Sequence, residues 1–343
     1  MAILSRAAST ALLAALVSAC DGGEAPALRL VARHEASGPL AAPGLGSASR
    51  IILATTSGAG MVEILDGLSG SRLAGPFDSF ATPLPPFELD GTVYLVSAAG
   101  RPAAYGLDGT SQSFADASAE GTPTGWTSDG SGRLVLTAGQ SLHVYDAAGT
   151  KTWSRSLSGV AVGGAAIGDG RAWVATDTGV VDGIALDGSG AVATTLVAPI
   201  GAAAALEGGG AAVPTPTGVA FSSAAGAVTG EVGIGPVSGV VSAPSGSALA
   251  WTSEGTLALV SANGVTWEHA LGAGLDYAPL SLGDGRFVAA GADGLVRLLD
   301  AGGELASYPL EGTPTAAPTL ASDGRIWVVM GSVVVALDPD PEP

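Results

Sequence analysis

Cysteine occurs once in 343 residues, at Cys20. A single thiol excludes a disulfide framework and any Cys-rich metal site. Histidine occurs three times, at His34, His143 and His269, too sparse for a multi-histidine zinc centre. Lysine occurs once, at Lys151, and all basic residues together number 13 against 31 acidic ones, for a net charge of −18. Nucleic-acid binding and a polybasic membrane patch both need clustered Lys and Arg to meet phosphate, and this chain has no such cluster. Charged residues make up only 13% of the chain and aromatics 5%. What is abundant is glycine, with 53 residues, beside 21 prolines and a hydrophobic fraction of 47%. The glycines follow no three-residue period, which excludes a collagen-like chain, and the apolar share is enough for a sizeable core.

The first nineteen residues read as a secretory leader. Arg6 supplies the positive charge, and 7–17 is an apolar run too short to span a bilayer comfortably. The run ends Leu16-Val17-Ser18-Ala19-Cys20, which resembles the lipobox of bacterial lipoproteins. That resemblance implies cleavage before Cys20 and lipid on its thiol and new amino terminus, two or more chains anchoring where one would not. An ordinary signal peptide is the alternative. Asp21 resembles an inner-membrane retention signal. The tether that follows, 21–27, reaches at most about 25 Å, so the folded body is expected close to the membrane.

Beyond the tether one motif recurs. A short apolar strand ends in Leu-Asp or a variant and runs into a glycine turn, with landmarks at Asp66, Asp108, Asp146, Asp187, Ser223, Ser261, Asp300 and Asp338. These fall roughly 39 residues apart, a repeat period of the propeller class. A second landmark keeps the same period: Asp90-Gly91, Asp129-Gly130, Asp169-Gly170, Asp284-Gly285 and Asp323-Gly324. Each unit opens with a small-residue run containing proline, then an Asp-Gly turn suited to two central residues at positive φ. An apolar strand follows (92–97, 133–138, 171–176, 325–330), then a second (142–146, 294–300), then a polar outer strand (151–157, 266–271). Four short strands per unit and no sustained helical periodicity predict an all-β β-propeller with four-stranded antiparallel blades. Small residues and proline suit the innermost strand, which converges on the axis and has an unpaired side. Eight units begin near 38, 80, 121, 159, 199, 237, 275 and 312; seven blades is the competing count if the first unit is irregular. The eighth unit ends in Pro339-Asp340-Pro341-Glu342-Pro343, which cannot supply a fourth strand. The alternating segment 28–34 is expected to supply it, pairing near 332–337 and closing the ring. The domain layout is therefore leader 1–19, lipidated Cys and tether 20–27, propeller 28–338 and acidic tail 339–343.

The units resemble the repeat of quinoprotein-like (PQQ-like) propellers. The match is carried by Asp323-Gly324-Arg325-Ile326-Trp327-Val328-Val329, by Val333-Val334-Val335-Ala336-Leu337-Asp338, and by Trp153 and Trp267 in outer strands. The resemblance implies that these tryptophans pack between blades. The units carrying Ser223 and Ser261 depart from it. Among such proteins, lipobox, short tether and a single propeller domain resemble the noncatalytic lipoprotein of the outer-membrane β-barrel assembly machinery. A dehydrogenase carrying pyrroloquinoline quinone and Ca²⁺ is the alternative. It fits less well, because no Glu, Asn and Asp set can be placed around Ca²⁺ and one cysteine cannot form a vicinal disulfide.

Candidate sites are few. The eleven Asp-Gly pairs lack the D-x-D-x-D-G run of a Ca²⁺ loop and read as turn chemistry. His143 reads as a surface or inter-blade residue. Glu268 and His269 adjoin, but neighbouring strand residues point to opposite faces. No serine sits in a G-x-S-x-G elbow, and Gly208-Gly209-Gly210 lacks a P-loop lysine. The 338–342 tail reads as a solvated end. Trp126 reads as core or, in the innermost strand region, as a ligand contact at the channel mouth. The expectation is therefore a noncatalytic, monomeric, lipid-anchored propeller of the bacterial envelope, on either membrane's periplasmic face or the cell surface. It has no catalytic residue, no cofactor and no metal, and scaffolds an envelope protein partner. A small-molecule or glycan binder is the alternative, and a quinone-dependent dehydrogenase the more distant one.

Overall fold

The computed structural model describes residues 27–46, 49–116, 118, 120–196 and 199–340. The leader, the lipobox with Cys20 and the last three residues lie outside them. The described residues form strands and turns with no helix, in eight four-stranded antiparallel sheets. The chain is an all-β propeller of eight blades, not seven. Blades 1 to 7 span 44–78, 87–112, 123–156, 166–195, 204–233, 239–270 and 280–309, each a simple meander from the inner to the outer strand. Blade 8 combines Thr319–Leu320, Ile326–Met330 and Val333–Asp338 with Arg29–Glu35 from the other end of the chain. Arg29 lies opposite Asp338 and Glu35 opposite Val333, with one irregularity between Leu30 and Ala32.

The second strands show why the apolar pattern is continuous, where a one-sided sheet would alternate. In Arg50–Ala54 the four residues after Arg50 are all buried. Ile51 and Leu53 pack with Trp327 and Val329 of blade 8, while Ile52 and Ala54 pack with Val93 and Leu95 of blade 2. A strand whose two faces both meet a neighbouring blade has no polar side, and so reads as one hydrophobic run. The core is accordingly divided into eight clusters, one at each seam between adjacent blades, including that between blades 8 and 1. Outer strands such as Arg72–Asp78 and Lys151–Ser156 are mostly exposed, matching their polar sequences.

Near the axis the blades crowd together at particular backbone positions. The innermost strands of blades 1, 5, 7 and 8 are two residues each: Gly44–Leu45, Ala204–Ala205, Leu280–Ser281 and Thr319–Leu320. A Cβ on Gly125 would lie 2.2 Å from the Cα of Gly164, in the connection leading into the next blade.

The Asp-Gly turns divide into two kinds. At Asp90-Gly91 and Asp169-Gly170 both residues have positive φ, as a two-residue hairpin turn requires. At 129–130, 284–285 and 323–324 only the glycine is left-handed. There the aspartate turns the chain with its side chain: Asp129 Oδ1 accepts from the Ser131 and Arg133 N–H groups, Asp284 Oδ1 from that of Arg286, and Asp323 Oδ1 from that of Arg325. The outer-turn landmarks work the same way, Asp66 accepting from Ser69, Asp108 from Thr110, Asp146 from Thr150 and Asp187 from Ser189. These bonds hold the carboxyls of Asp66, Asp108 and Asp187 below the usual range. The oxygens that a Ca²⁺ loop would need are engaged in turning the backbone.

Candidate interaction site

In a four-stranded meander the 1–2 turn and the 3–4 turn open on the same face of the ring, here called the aspartate face. An arginine at the entry to the second strand recurs on it: Arg50 and Arg171 open their strands, and Arg133, Arg286 and Arg325 stand one residue ahead of theirs. Three of these bond beyond their own blade, and Arg133 acts on the next blade only through its charge. Arg50 of blade 1 makes two bonds to Glu88 of blade 2, at 2.8 and 2.7 Å. Arg286 of blade 7 binds both carboxylate oxygens of Asp340 beyond blade 8, at 2.6 and 2.7 Å, while its Nε holds Asp284 at 2.7 Å. Arg325 of blade 8 donates to the Gly67 carbonyl of blade 1 at 3.2 Å and helps to lower the Asp66 carboxyl. Arg133 of blade 3 pairs with Asp129 at 3.5 Å and helps to lower Asp187 of blade 4. Asp340, expected as part of a solvated tail, is thus held in an ion pair.

Blade 2 lacks the arginine, its second strand beginning at Thr92, but keeps Asp108; at blades 5 and 6 both partners of this arginine–aspartate girdle are missing. Their second strands begin at Ala211 and Ser247, and their outer-turn landmarks are Ser223 and Ser261. Arg171, the last arginine before the gap, turns back to the Gly183 carbonyl of its own blade at 3.1 Å. Where both partners are missing, the surface opens into a depression of about 530 Å³. Its walls are the 1–2 turn of blade 5 (Glu207, Gly208, Gly209), the 3–4 turn (Ser223, Ala224, Ala225), and Gly246 and Ala262 of blade 6. Gly208, Gly209 and Gly210 all have positive φ, and a Cβ on Gly210 would lie 2.1 Å from the Ser222 carbonyl. The triple glycine is a turn that only glycine can make at this distance.

Buried ionisable groups elsewhere are committed to the seams. Glu63 of blade 1 accepts from the Ser37 N–H at 2.9 Å and the Ser37 hydroxyl at 2.8 Å, lies 2.8 Å from His34 Nε2, and pairs with Arg72 at 3.2 Å. Asp182 repeats the device in blade 4, accepting from the Ser158 N–H at 2.8 Å and hydroxyl at 2.9 Å. His143 is buried 3.5 Å from Glu120, which also receives the Lys151 ammonium and the Ser118 hydroxyl. Burial pushes the His143 imidazole down, against the pull of Glu120. This network ties the connection before blade 3 to that blade, so His143 is an inter-element residue. His269 stacks on Trp267 at 4.9 Å and meets the Asp300 carbonyl of blade 7 at 3.1 Å, while Glu268 is exposed.

Trp126, the one side chain named above as a possible channel-mouth contact, is 6% exposed. Its ring packs 5.4 Å from Phe87 and 6.3 Å from Tyr145, in the seam between blades 2 and 3. Among the described residues no group of three or more His, Cys, Asp and Glu is gathered as a metal would require. The girdle and its gap were not anticipated as a site. The only trace of them in the sequence was the replacement of aspartate by Ser223 and Ser261.

No protein-family model matches the chain, and no curated protein matches it. Many solved structures do. The computationally designed Ika8 protein is 15% identical, with a TM-score of 0.66 over 92% of this chain and 99% of its own. The C-terminal WD40 domain of Sif2 is 11% identical, with a TM-score of 0.69 over 93% of this chain and 100% of its own. At such identities the likeness is one of fold, and by fold the chain is an eight-bladed β-propeller.

Proposed function

We propose that this chain is a noncatalytic scaffold, lipid-anchored through Cys20 outside the cytoplasm, that presents a rigid acidic propeller to a protein partner in the bacterial envelope. The observation that carries the reading is the use made of the ionisable groups. Glu63, Asp182 and Glu88 are each buried and each bonded across a seam, where their charge holds blades together. A group poised for proton transfer would instead face a space that a substrate can enter. Support for the quinoprotein-like resemblance comes from Trp153, whose Nε1 donates to the Leu186 carbonyl of the next blade at 3.0 Å, and from Trp267 in the seam between blades 6 and 7.

The test is purification of the tagged full-length protein from gently solubilised membranes of its source cells, followed by mass spectrometry. An envelope protein recovered in near-stoichiometric amount is the expected result, together with loss of membrane association in Cys20→Ser. A partnerless protein, or a wild type recovered from the soluble fraction, would overturn the reading.

A further inference from the structure

We propose that the depression between blades 5 and 6 on the aspartate face seats a segment of the partner protein bearing an arginine or lysine beside a small apolar side chain. The inference rests on the scaffold reading and names its surface. Two observations on different parts of the chain meet here. The first is shape. At about 530 Å³ the depression falls within the ~300–1,000 Å³ typical of binding pockets. Its walls are mostly glycine, alanine and serine, so backbone can approach closely and a small apolar group can lie against Ala224 and Ala225.

The second is charge. In three other blades the acid of the 1–2 turn has its own arginine: Asp129 has Arg133, Asp284 has Arg286 and Asp323 has Arg325. Glu207 stands in that position in blade 5, and the only bond it makes among the described residues is from the Ser245 N–H at 2.8 Å. Asp169 of blade 4 reaches the other side of the same turn, with its Oδ2 3.5 Å from the Cβ position of Gly209, and Arg171 has turned away from it. Among the described residues these two carboxylates are paired with no cation. The molecule shows what would satisfy such a pair: Arg286 bridges Asp284 and Asp340 with its planar fork. A partner's guanidinium entering between Asp169 and Glu207 would take the place of the girdle arginine missing here, and its neighbouring side chain would lie against the alanines. The acidity of the chain would draw a cationic segment in from a distance.

The experiment places a photo-crosslinking benzoylphenylalanine in the full-length protein, in its source cells, at Ala225 and separately at Ala148. Ala148 is the matching position of blade 3, where the girdle aspartate Asp146 is present. The expected result is a crosslink from position 225 to one protein, through a peptide containing Arg or Lys, with a yield at least about 5-fold above that from position 148. Glu207→Lys should lower that yield about 10-fold, as reversal of a rim charge implies, and Asp169→Asn should lower it less. Unchanged thermal unfolding would show that both variants fold. An acidic or uncharged crosslinked peptide, or a yield indifferent to both substitutions, would overturn the inference. Crosslinks to a protein partner from position 148 alone would overturn it while leaving the scaffold reading standing. No protein crosslink from either position, with no partner in the purification, would remove both.

Discussion

Replacing Glu63 by alanine tests how the two ends of the chain are held together. Glu63 sits in the third strand of blade 1, its side chain 2% exposed, and faces the last strand of blade 8. Burial pushes its carboxyl upward, but the Ser37 hydroxyl and N–H, His34 and Arg72 outweigh burial and hold it below the ordinary range. Glu63→Ala leaves His34 and the Ser37 N–H and hydroxyl facing an empty pocket. Losing a charged acceptor from buried hydrogen bonds costs ~1.5–3 kcal/mol per bond. Arg72 adds little to this, because its side chain is 42% exposed and such pairs contribute under ~1 kcal/mol. Against a total stability of ~5–15 kcal/mol the loss is large. Urea unfolding at pH 7 should show it as a lowered midpoint. His34→Ala alone should cost about 1–3 kcal/mol, and the double variant less than the sum. The pH dependence has a definite sign. A depressed folded-state pKa contributes stability that is complete above the unfolded value of ~4.3 and is lost as pH falls through the lower folded value. The gap between wild type and Glu63→Ala should therefore narrow from about pH 5 downward. A gap under ~1 kcal/mol at pH 7, or one that widens on acidification, would refute the argument.

Three further outcomes follow from the packing. Gly149 has φ 78°, and a Cβ there would lie 2.5 Å from the Phe114 ring, whereas Gly91 has φ 79° and open space around it. Gly91→Ala should cost only the left-handed backbone penalty of ~1–2 kcal/mol, and Gly149→Ala a further ~1–3 kcal/mol, in denaturant unfolding; equal costs would show that Phe114 gives way. Trp153→Phe should cost about 1 kcal/mol through the lost bond to the Leu186 carbonyl, and no change in the unfolding midpoint would count against that bond. Deleting residues 1–37 strips Arg29–Glu35 from the edge of Val333–Asp338 and removes Ala32 and Ala36 from the seam between blades 8 and 1. Gel filtration should then show aggregates, with monomer partly restored by a synthetic 27–38 peptide; a stable monomer without the peptide would show that the N-terminal strand is dispensable.

The comparisons leave the quinoprotein-like resemblance and the envelope location as proposals, since the matched structures share little sequence and carry only the fold. Within the chain itself, legibility divides along a physical line. Aspartate landmarks, glycine turns and apolar second strands could be read directly because each is set by the geometry of a few adjacent residues. That local geometry returns with every blade, so the count of eight and the split eighth blade were visible as a period with one strand missing. The two kinds of Asp-Gly turn were not distinguishable, because Asp90 and Asp129 are followed by the same residue and differ in how many residues separate the paired strands. Trp126 could not be placed, because in an innermost strand that is only partly buried the local pattern does not say whether a side chain enters a seam or the channel mouth.

Contacts across the seams were beyond the sequence altogether. His34 and Glu63 are 29 residues apart, Arg286 and Asp340 54 apart, and neither spacing marks a pair. The sequence by itself determined the strands, their turns and their number, since these follow from backbone propensity and hydrophobic period. Only the tertiary structure decided which charges meet and where none does. An ion pair or a depression between blades depends on two separate turns arriving at one place, and no stretch of chain records that meeting.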